Sequence, residues 1–171
     1  MDRLFPLVYD ELRRRAGRPR AAAGGLATMN TTAIVHEAYL KLADQKDAQF
    51  ANRAHFFAVA AKAMRHVFLD YAKHKSRKKR GGDSTHVDID DVSVGESHIE
   101  MELEEAERLL ALDTALTTLA TSNPRLAQVV ECRFFGGMTV EDTAAAVGTS
   151  AATVKRDWNT ARVMLFKNMK S

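Results

Sequence analysis

The stretch that most restricts the possible folds of this chain runs from Met138 to Met169. Its pattern predicts two helices joined by a tight turn. Thr139 is placed to cap the first helix, with Asp142 three residues later, and Gly148 supplies the left-handed residue that ends it. Ser150 is placed to cap the second helix. This spacing is typical of a helix-turn-helix.

The second helix of this motif has an apolar face and a polar face. Apolar residues recur at helical spacing, and the small Ala144 of the first helix allows the two helices to approach closely. The apolar face consists of Val154, Trp158, Ala161 and Leu165. The polar face consists of Ser150, Ala152, Thr153, Lys155, Arg156 and Asn159. Such a face suits the major groove of DNA, and the alternative is a helical hairpin with a solvated charged face.

The composition places limits on the compartment and the partners of the chain. Its 171 residues suffice for one ordinary domain or two small ones, and its net charge of +3 weakly favours a polyanionic partner. Cys132 is the only cysteine, so the chain forms no internal disulfide, as is typical of the reducing cytoplasm. The sequence has no stretch of transmembrane length, and its amphipathic start does not resemble a signal peptide. We therefore expect a cytoplasmic protein that does not contact membranes.

The N-terminal part is expected to be helical, with cations at the end of its longest helix. The predicted helices are Asp2–Ala16, Thr31–Ala43 capped by Asn30, and Ala54 to about Ser76. A polar loop, Asp44 to Arg53, precedes the third helix, which has a wide apolar face. The cations from Lys73 to Arg80 follow aromatic residues, which favours nucleic-acid contact over a merely solvated face.

The charge reverses after Gly81–Gly82, and a second helical part follows. Asp83 to Glu107 contains ten acids and no lysine or arginine, and its first part predicts a flexible acidic linker. A helix resumes near Glu100, and Asn123 is placed to cap the next one, with Pro124 in its first turn. The predicted core faces of these helices are Leu109, Leu112, Leu116 and Leu119, and Leu126, Val129, Val130 and Phe134. The sequence therefore predicts an all-α protein of two helical domains joined by that linker, with ranges 1–80, 81–99 and 100–171.

Signals for catalysis or metal binding are absent from the sequence. His36-Glu37 begins like the zinc-protease motif HExxH, but Leu40 stands where its second histidine belongs. The six histidines lack metal-ligand spacing, and there is no G-x-S-x-G, P-loop or G-x-G-x-x-G pattern. We therefore expect a protein that is not an enzyme and that holds no metal or cofactor.

Three segments carry a family resemblance. Ala33–Leu42 (AIVHEAYLKL), Ala61–Ala72 (AKAMRHVFLDYA) and Thr153–Trp158 (TVKRDW) resemble bacterial sigma factors of the extracytoplasmic-function group. Met1–Arg80 is similar to region two of that family, and Glu100–Lys170 is similar to region four. The resemblance implies a factor that binds the β′ and β subunits of core RNA polymerase and directs transcription initiation at promoter DNA. It also implies a possible anti-sigma partner.

The resemblance implies DNA contacts in both regions. Region four is expected to read the minus-thirty-five element through Ser150, Thr153, Lys155, Arg156 and Asn159. Region two is expected to open the minus-ten element and hold flipped bases through Phe50, Asn52 and Arg53, with Arg65, His66 and Lys73 on the following helix at the backbone or melting fork. An aromatic-bearing loop beside a cationic helix also suits single-stranded DNA on physical grounds.

The expected polymerase-docking helix departs from the family pattern. Most of the group carries paired acids that dock on a coiled coil of β′, whereas this chain has Thr32 and Ala33, preceded by Thr31. Docking is expected to involve Thr32, Val35 and Glu37, of which Glu37 alone retains a matching acid. Phosphorylation of Thr31 or Thr32 by a Ser/Thr kinase would restore negative charge at the helix N-terminus, as in the branch of sigma factors that such kinases activate. The alternative is that these threonines simply cap the helix.

Two other function classes remain open from the sequence. A stand-alone helix-turn-helix transcriptional regulator would bind DNA without polymerase, but it needs a dimer interface for two half-sites, and no heptad or spare apolar helix is visible for one. A helical interaction module would leave the polar face of the recognition helix unexplained. Dependence of DNA binding on core polymerase distinguishes these alternatives from a sigma factor.

Overall fold

The computed structural model describes residues 31–44, 50–80 and 103–170, without the side chains of residues 31, 32 and 78–80. The predicted first helix, its loop, Asn30 and the acidic linker lie outside these ranges. The described residues form six α-helices and one π-helical turn, and they contain no strand. The all-α prediction is therefore confirmed.

The N-terminal helices are α1 (Thr31–Ala43) and α2 (Arg53–Arg80). The bounds of α1 are those predicted, while α2 continues beyond Ser76 through the cationic run. With 28 residues, α2 is about 42 Å long. The apolar face of α1 packs on α2, and polar contacts join them at the side: the hydroxyl of Tyr71 donates to Glu37 Oε1 at 2.6 Å, and Lys41 pairs with Asp70 at 2.8 Å. The buried residues of α1 are Ile34, Val35, Ala38 and Leu42.

The next elements are α3 (Leu103–Ser122), α4 (Pro124–Val130) and a π turn (Glu131–Phe135) that continues α4 directly. The predicted start of α4 is confirmed, because the Asn123 side chain accepts from the Leu126 N–H at 3.4 Å and Pro124 occupies the first turn. The predicted core residues are buried except Leu112 and Phe134, which are half-buried against the core.

The π turn rotates the last part of this helix. The Gly136 N–H donates to the Glu131 carbonyl at 3.0 Å, five residues back, so the turn holds one residue more than an α-helical turn. As a result, Phe135 is buried with 1% of its surface exposed, while the predicted core residue Phe134 is half-buried beside it. The α-helical spacing used for the prediction does not apply across this turn.

The predicted helix-turn-helix forms from α5 (Val140–Val147) and α6 (Ala151–Lys170). Thr139 Oγ1 accepts from the Asp142 N–H at 3.1 Å and caps α5. Gly148 ends α5 in the left-handed region, with φ of 72°. The small cluster between the two helices consists of Val129, Ala144 and Val154, with Trp158 packed against it.

A single large core joins the helices before the linker to those after it. α2 packs against α3, the π turn and α5. The buried side chains of this shared core include Phe57, Met64, Phe68, Leu116, Leu119 and Phe135. The described helices on the two sides of the sequence-predicted linker therefore pack against each other, and this brings their polar side chains into contact as well.

Candidate nucleic-acid interface

The N-terminus of α6 is held by two of the residues that were predicted to contact DNA. Ser150 Oγ accepts from the Thr153 N–H at 3.1 Å and lies 2.9 Å from Thr153 Oγ1, to which it donates. These bonds use one of the free backbone N–H groups at the helix start and fix both side chains relative to the backbone. The helix thus begins at a defined position with two hydroxyl groups at its first turn.

The two faces of α6 differ in exposure as the sequence predicted. Lys155, Arg156 and Asn159 are exposed. On the opposite side, Val154 and Ala161 are fully buried. The polar side of α6 is therefore free to meet a large ligand, while its apolar side is committed to the core.

Two cation contacts hold the buried side of α6, and neither was predicted. Asp157 is 5% exposed and accepts from Arg125 Nε at 2.8 Å and Nη2 at 3.2 Å. The Arg133 guanidinium lies 5.3 Å from the centroid of the Trp158 ring. Both arginines belong to α4 or the π turn, so these elements set the orientation of α6. In the sequence, the one indication of such a contact was Asp157, a charged residue next to the apolar face of α6 that needs a partner when it is buried.

The surroundings of Arg133 strengthen its contact with the tryptophan. Burial lowers the pKa of its guanidinium, and the negative charge of Glu141 offsets part of that effect. Its Nε atom is buried without a hydrogen-bond partner in the described part of the chain. A partly desolvated cation interacts more strongly with an aromatic face than an exposed one does.

The loop before α2 places Phe50 and Arg53 against aromatic rings. Phe50 is half-buried and meets Phe56 edge to face, with 4.9 Å between ring centroids. The exposed Arg53 lies with its guanidinium 5.6 Å from the Phe57 ring. Two of the three residues predicted to hold a flipped base, Phe50 and Arg53, thus contact neighbouring aromatic rings at the start of α2.

Asn52 has a local role that the sequence analysis missed. Its Oδ1 atom accepts from the His55 N–H at 2.9 Å, so it caps α2. The ring of His55 in turn accepts from the Ala51 N–H through Nδ1 at 3.2 Å. An asparagine directly before a helical run is a standard cap signal, and it was available in the sequence. The exposed amide also stays accessible to a ligand.

Among the predicted DNA contacts on α2, His66 and Lys73 are exposed but Arg65 is enclosed. Arg65 Nε donates to Asp113 Oδ1 at 2.9 Å, and its Nη1 donates to Glu131 Oε1 at 2.6 Å. Its side chain is 13% exposed. These partners, 48 and 66 positions away in sequence, were not predicted.

The electrostatic environment of Arg65 favours the charged guanidinium. Burial by itself lowers the pKa of Arg65, but the hydrogen bonds and charges of Asp113 and Glu131 together raise it above its ordinary value. Arg65 is therefore a permanent cation neutralised by two carboxylates. It does not face a nucleic acid in this arrangement.

The predicted docking residues of α1 differ in accessibility. Thr32 lies at the start of the helix beside the other candidate phosphosite, Thr31, and the first turn contains no acid. Glu37 is half-buried and accepts the hydrogen bond from Tyr71. Val35 has no exposed surface, so its side chain cannot touch a partner as α1 stands. Its burial follows from the apolar face that α1 turns toward α2.

Within residues 31–44, 50–80 and 103–170, no three histidine, cysteine, aspartate or glutamate side chains are grouped to bind a metal ion. No helix in the same ranges is long and apolar enough to cross a membrane.

Comparison with known proteins gave a single finding. A model of the ECF sigma factor family matches residues 1–171. Neither the curated proteins nor the solved structures gave a match. The family match covers both helical parts and the acidic stretch between them.

Proposed function

The chain belongs to the ECF sigma factor family, and from that premise we propose how its residues are divided between promoter DNA and polymerase. As a member of this family, it is a non-enzymatic initiation factor that binds RNA polymerase and directs it to promoters. Anti-sigma partners are common in the family. The observation that carries the proposal is the recognition helix α6, whose polar face is exposed while its opposite face is locked in the core.

In this proposal, α6 reads the minus-thirty-five element in the major groove. Its exposed cations Lys155 and Arg156 contact phosphates or base edges, and Asn159 extends the same face. The hydroxyls of Ser150 and Thr153 lie at the helix start, where phosphate contacts are common in such motifs. The ion pair between Arg125 and the buried Asp157 supports this by holding α6 in one orientation.

We predict that Lys155→Ala and Arg156→Ala each weaken binding to upstream-element DNA. If the lost cation contacts a phosphate, the slope of log affinity against log salt should shrink by about one. The measurement is a salt titration of holoenzyme on a promoter fragment. Arg108→Ala is the matched control, because it removes one exposed cation that is paired within α3 to Glu104. Equal affinity and slope for a variant and for wild type would remove that residue from the interface.

We further propose that the start of α2 captures flipped bases of the minus-ten element. Phe50 would stack on a base, while Asn52 and Arg53 would hold it by hydrogen bonds. His66 and Lys73 would contact the nearby backbone from the exposed side of α2. Arg65 would join them only after release from its two carboxylates.

Polymerase docking is proposed to depend on phosphorylation at the start of α1. The first turn of α1 has no acid, and a phosphothreonine at position 31 or 32 would add about −1.5 to −2 charges where the helix dipole favours them. Glu37, half-buried beside Tyr71, would supply a second negative group on the same helix. A Ser/Thr kinase would then control whether polymerase binds.

The test is a pull-down of core RNA polymerase with full-length protein. The arms are wild type, Thr31→Glu/Thr32→Glu, kinase-treated wild type, and protein with phosphothreonine installed at position 31 or 32. Binding that requires the phosphate supports both the docking and the switch. Strong binding without it retains the sigma factor and rejects the switch. Absence of binding in every arm would favour a stand-alone helix-turn-helix regulator.

A matched control separates the phosphate from other effects of kinase treatment. Thr31→Ala/Thr32→Ala protein is treated with the same kinase and compared in a transcription assay in vitro. We expect it to stay inactive. Activity equal to that of kinase-treated wild type would contradict control through these threonines.

A further inference from the structure

Buried side chains of region two and region four belong to one core and meet at close range. The rings of Phe68 in α2 and Phe135 in the π turn lie 5.9 Å apart between centroids. A Cβ atom built on Gly136 would lie 2.7 Å from the Cβ of Ala61 and 2.7 Å from the Cys132 carbonyl oxygen, so both the approach to α2 and the local turn require glycine here. Such fit indicates a specific interface between the two regions.

Arg65 lies within this interface with charged partners on the opposite side. It belongs to α2, whereas Asp113 belongs to α3 and Glu131 to the π turn. The three side chains are 13%, 25% and 16% exposed. Because they are mostly shielded from water, loss of one partner would leave a charge poorly compensated.

We propose that Arg65 with Asp113 and Glu131 forms a latch that holds the free sigma factor closed and keeps Arg65 away from DNA. Arginine binds carboxylate and phosphate with the same planar set of donors, so the two carboxylates occupy the donors that a DNA phosphate would use. The part of the proposal that concerns DNA rests on the proposed function of Arg65 at the minus-ten element.

The apolar part of the interface explains why the free chain stays closed. Separation would bring Phe68 and Phe135 into water together with the small residues around Gly136. A partner opens such a contact only if it binds the open state better than the closed one. Core polymerase, which engages both regions of the factor, is the partner with the surface to do so.

The experiment compares full-length free proteins, without polymerase. The test variant is Asp113→Asn/Glu131→Gln, which keeps the side-chain shapes and removes both latch charges. The control is Asp70→Asn/Glu104→Gln, which also removes two acids. The control acids lie in exposed ion pairs that stay within region two or within α3. Small-angle X-ray scattering gives the radius of gyration, and fluorescence anisotropy gives the affinity for a single-stranded DNA oligonucleotide.

The test variant is expected to have a larger radius of gyration than wild type and to bind the oligonucleotide about tenfold more tightly. The control variant should keep the wild-type radius of gyration. Its affinity should rise only as much as the loss of two negative charges explains. If the test variant keeps the wild-type radius and binds no better than the control, the latch is overturned. If it opens without gaining affinity, the latch stands and Arg65 is removed from the proposed minus-ten contacts.

A charge reversal keeps the proposal testable if the neutral variant unfolds. Arg65→Glu should expand the chain, because it places three acids together, and adding Glu131→Lys should return the radius of gyration toward that of wild type. Circular dichroism checks that the helices persist in each variant. Failure of the second substitution to restore compactness, in a folded protein, would contradict direct pairing across the interface.

Discussion

Asn52 shows how one side chain serves both local structure and a proposed contact. Its carbonyl oxygen caps α2, and its amide nitrogen remains for a base. Asn52 is therefore at once a structural residue and a candidate for binding, and a simple truncation would confuse the two roles.

We predict that Asn52→Ala lowers the free energy of unfolding by about 1 kcal/mol, the usual loss when a cap is removed. Asn52→Ser keeps a capping oxygen but lacks the amide, so its stability should remain near that of wild type while its promoter opening falls. Urea denaturation and a promoter-melting assay measure the two effects. Equal promoter opening by the serine variant and by wild type would leave Asn52 with the capping role alone.

Single residues also mark the limit of sequence-based reasoning at the candidate site. Lys155, Arg156 and Asn159 are exposed as expected, because their helical spacing alone decides which face they occupy. The enclosure of Arg65 was not predictable, since its two partners come from distant segments that only the tertiary fold brings together.

At the scale of elements, helix ends were predictable wherever local chemistry determines them. Thr139 and Asn123 cap their helices, and Gly148 ends α5, each through bonds or dihedral angles that involve a few neighbouring residues. The π turn was not predictable, because it places Phe135 against Phe68 of α2, a contact between segments that are distant in sequence. The sequence pattern of Glu131–Phe135 is compatible with an ordinary α-helix.

The turn of the helix-turn-helix gives a prediction about Gly148. With φ of 72°, this residue occupies the left-handed region, and a Cβ there would meet no other atom within 4 Å. Gly148→Ala should therefore destabilise the protein by about 1–2 kcal/mol through backbone strain alone. Gly148→Asn should lose less, since asparagine tolerates this region better. Thermal unfolding of both variants checks that the alanine variant is the less stable one. If both variants lose the same stability, backbone strain alone does not explain the loss.

At the scale of the whole molecule, the shared core makes the stability of region four depend on region two. Cys132 lies in that core, and burial raises the pKa of its thiol to about 12, with the charge of Glu131 adding to the effect. The folded state thus retains a proton that the unfolded chain releases above its ordinary pKa of 9.0. The protonated thiol therefore makes its full contribution to the stability of the folded state below pH 9.0. That contribution decreases as the pH rises from 9.0 toward about 12.

We predict that the free energy of unfolding of wild type falls above pH 9 by about 1.4 kcal/mol per pH unit more steeply than that of Cys132→Ala. Urea denaturation of both proteins between pH 8 and 10.5 measures the difference. The alanine variant is the control for lysine and tyrosine titration, which both proteins share. Parallel pH dependence would indicate that the thiol ionises without opening the core.

The close approach of Ala61 and Gly136 has a consequence for modularity. In the proposed function the two regions bind separate promoter elements, and on that basis alone they could be exchanged freely between sigma factors. In this chain they are matched, because any residue other than glycine at position 136 would displace the Cβ of Ala61. A chimera that takes region four from a relative with a larger residue there would lose the closed arrangement, because both the turn at Cys132 and the contact with Ala61 would have to shift.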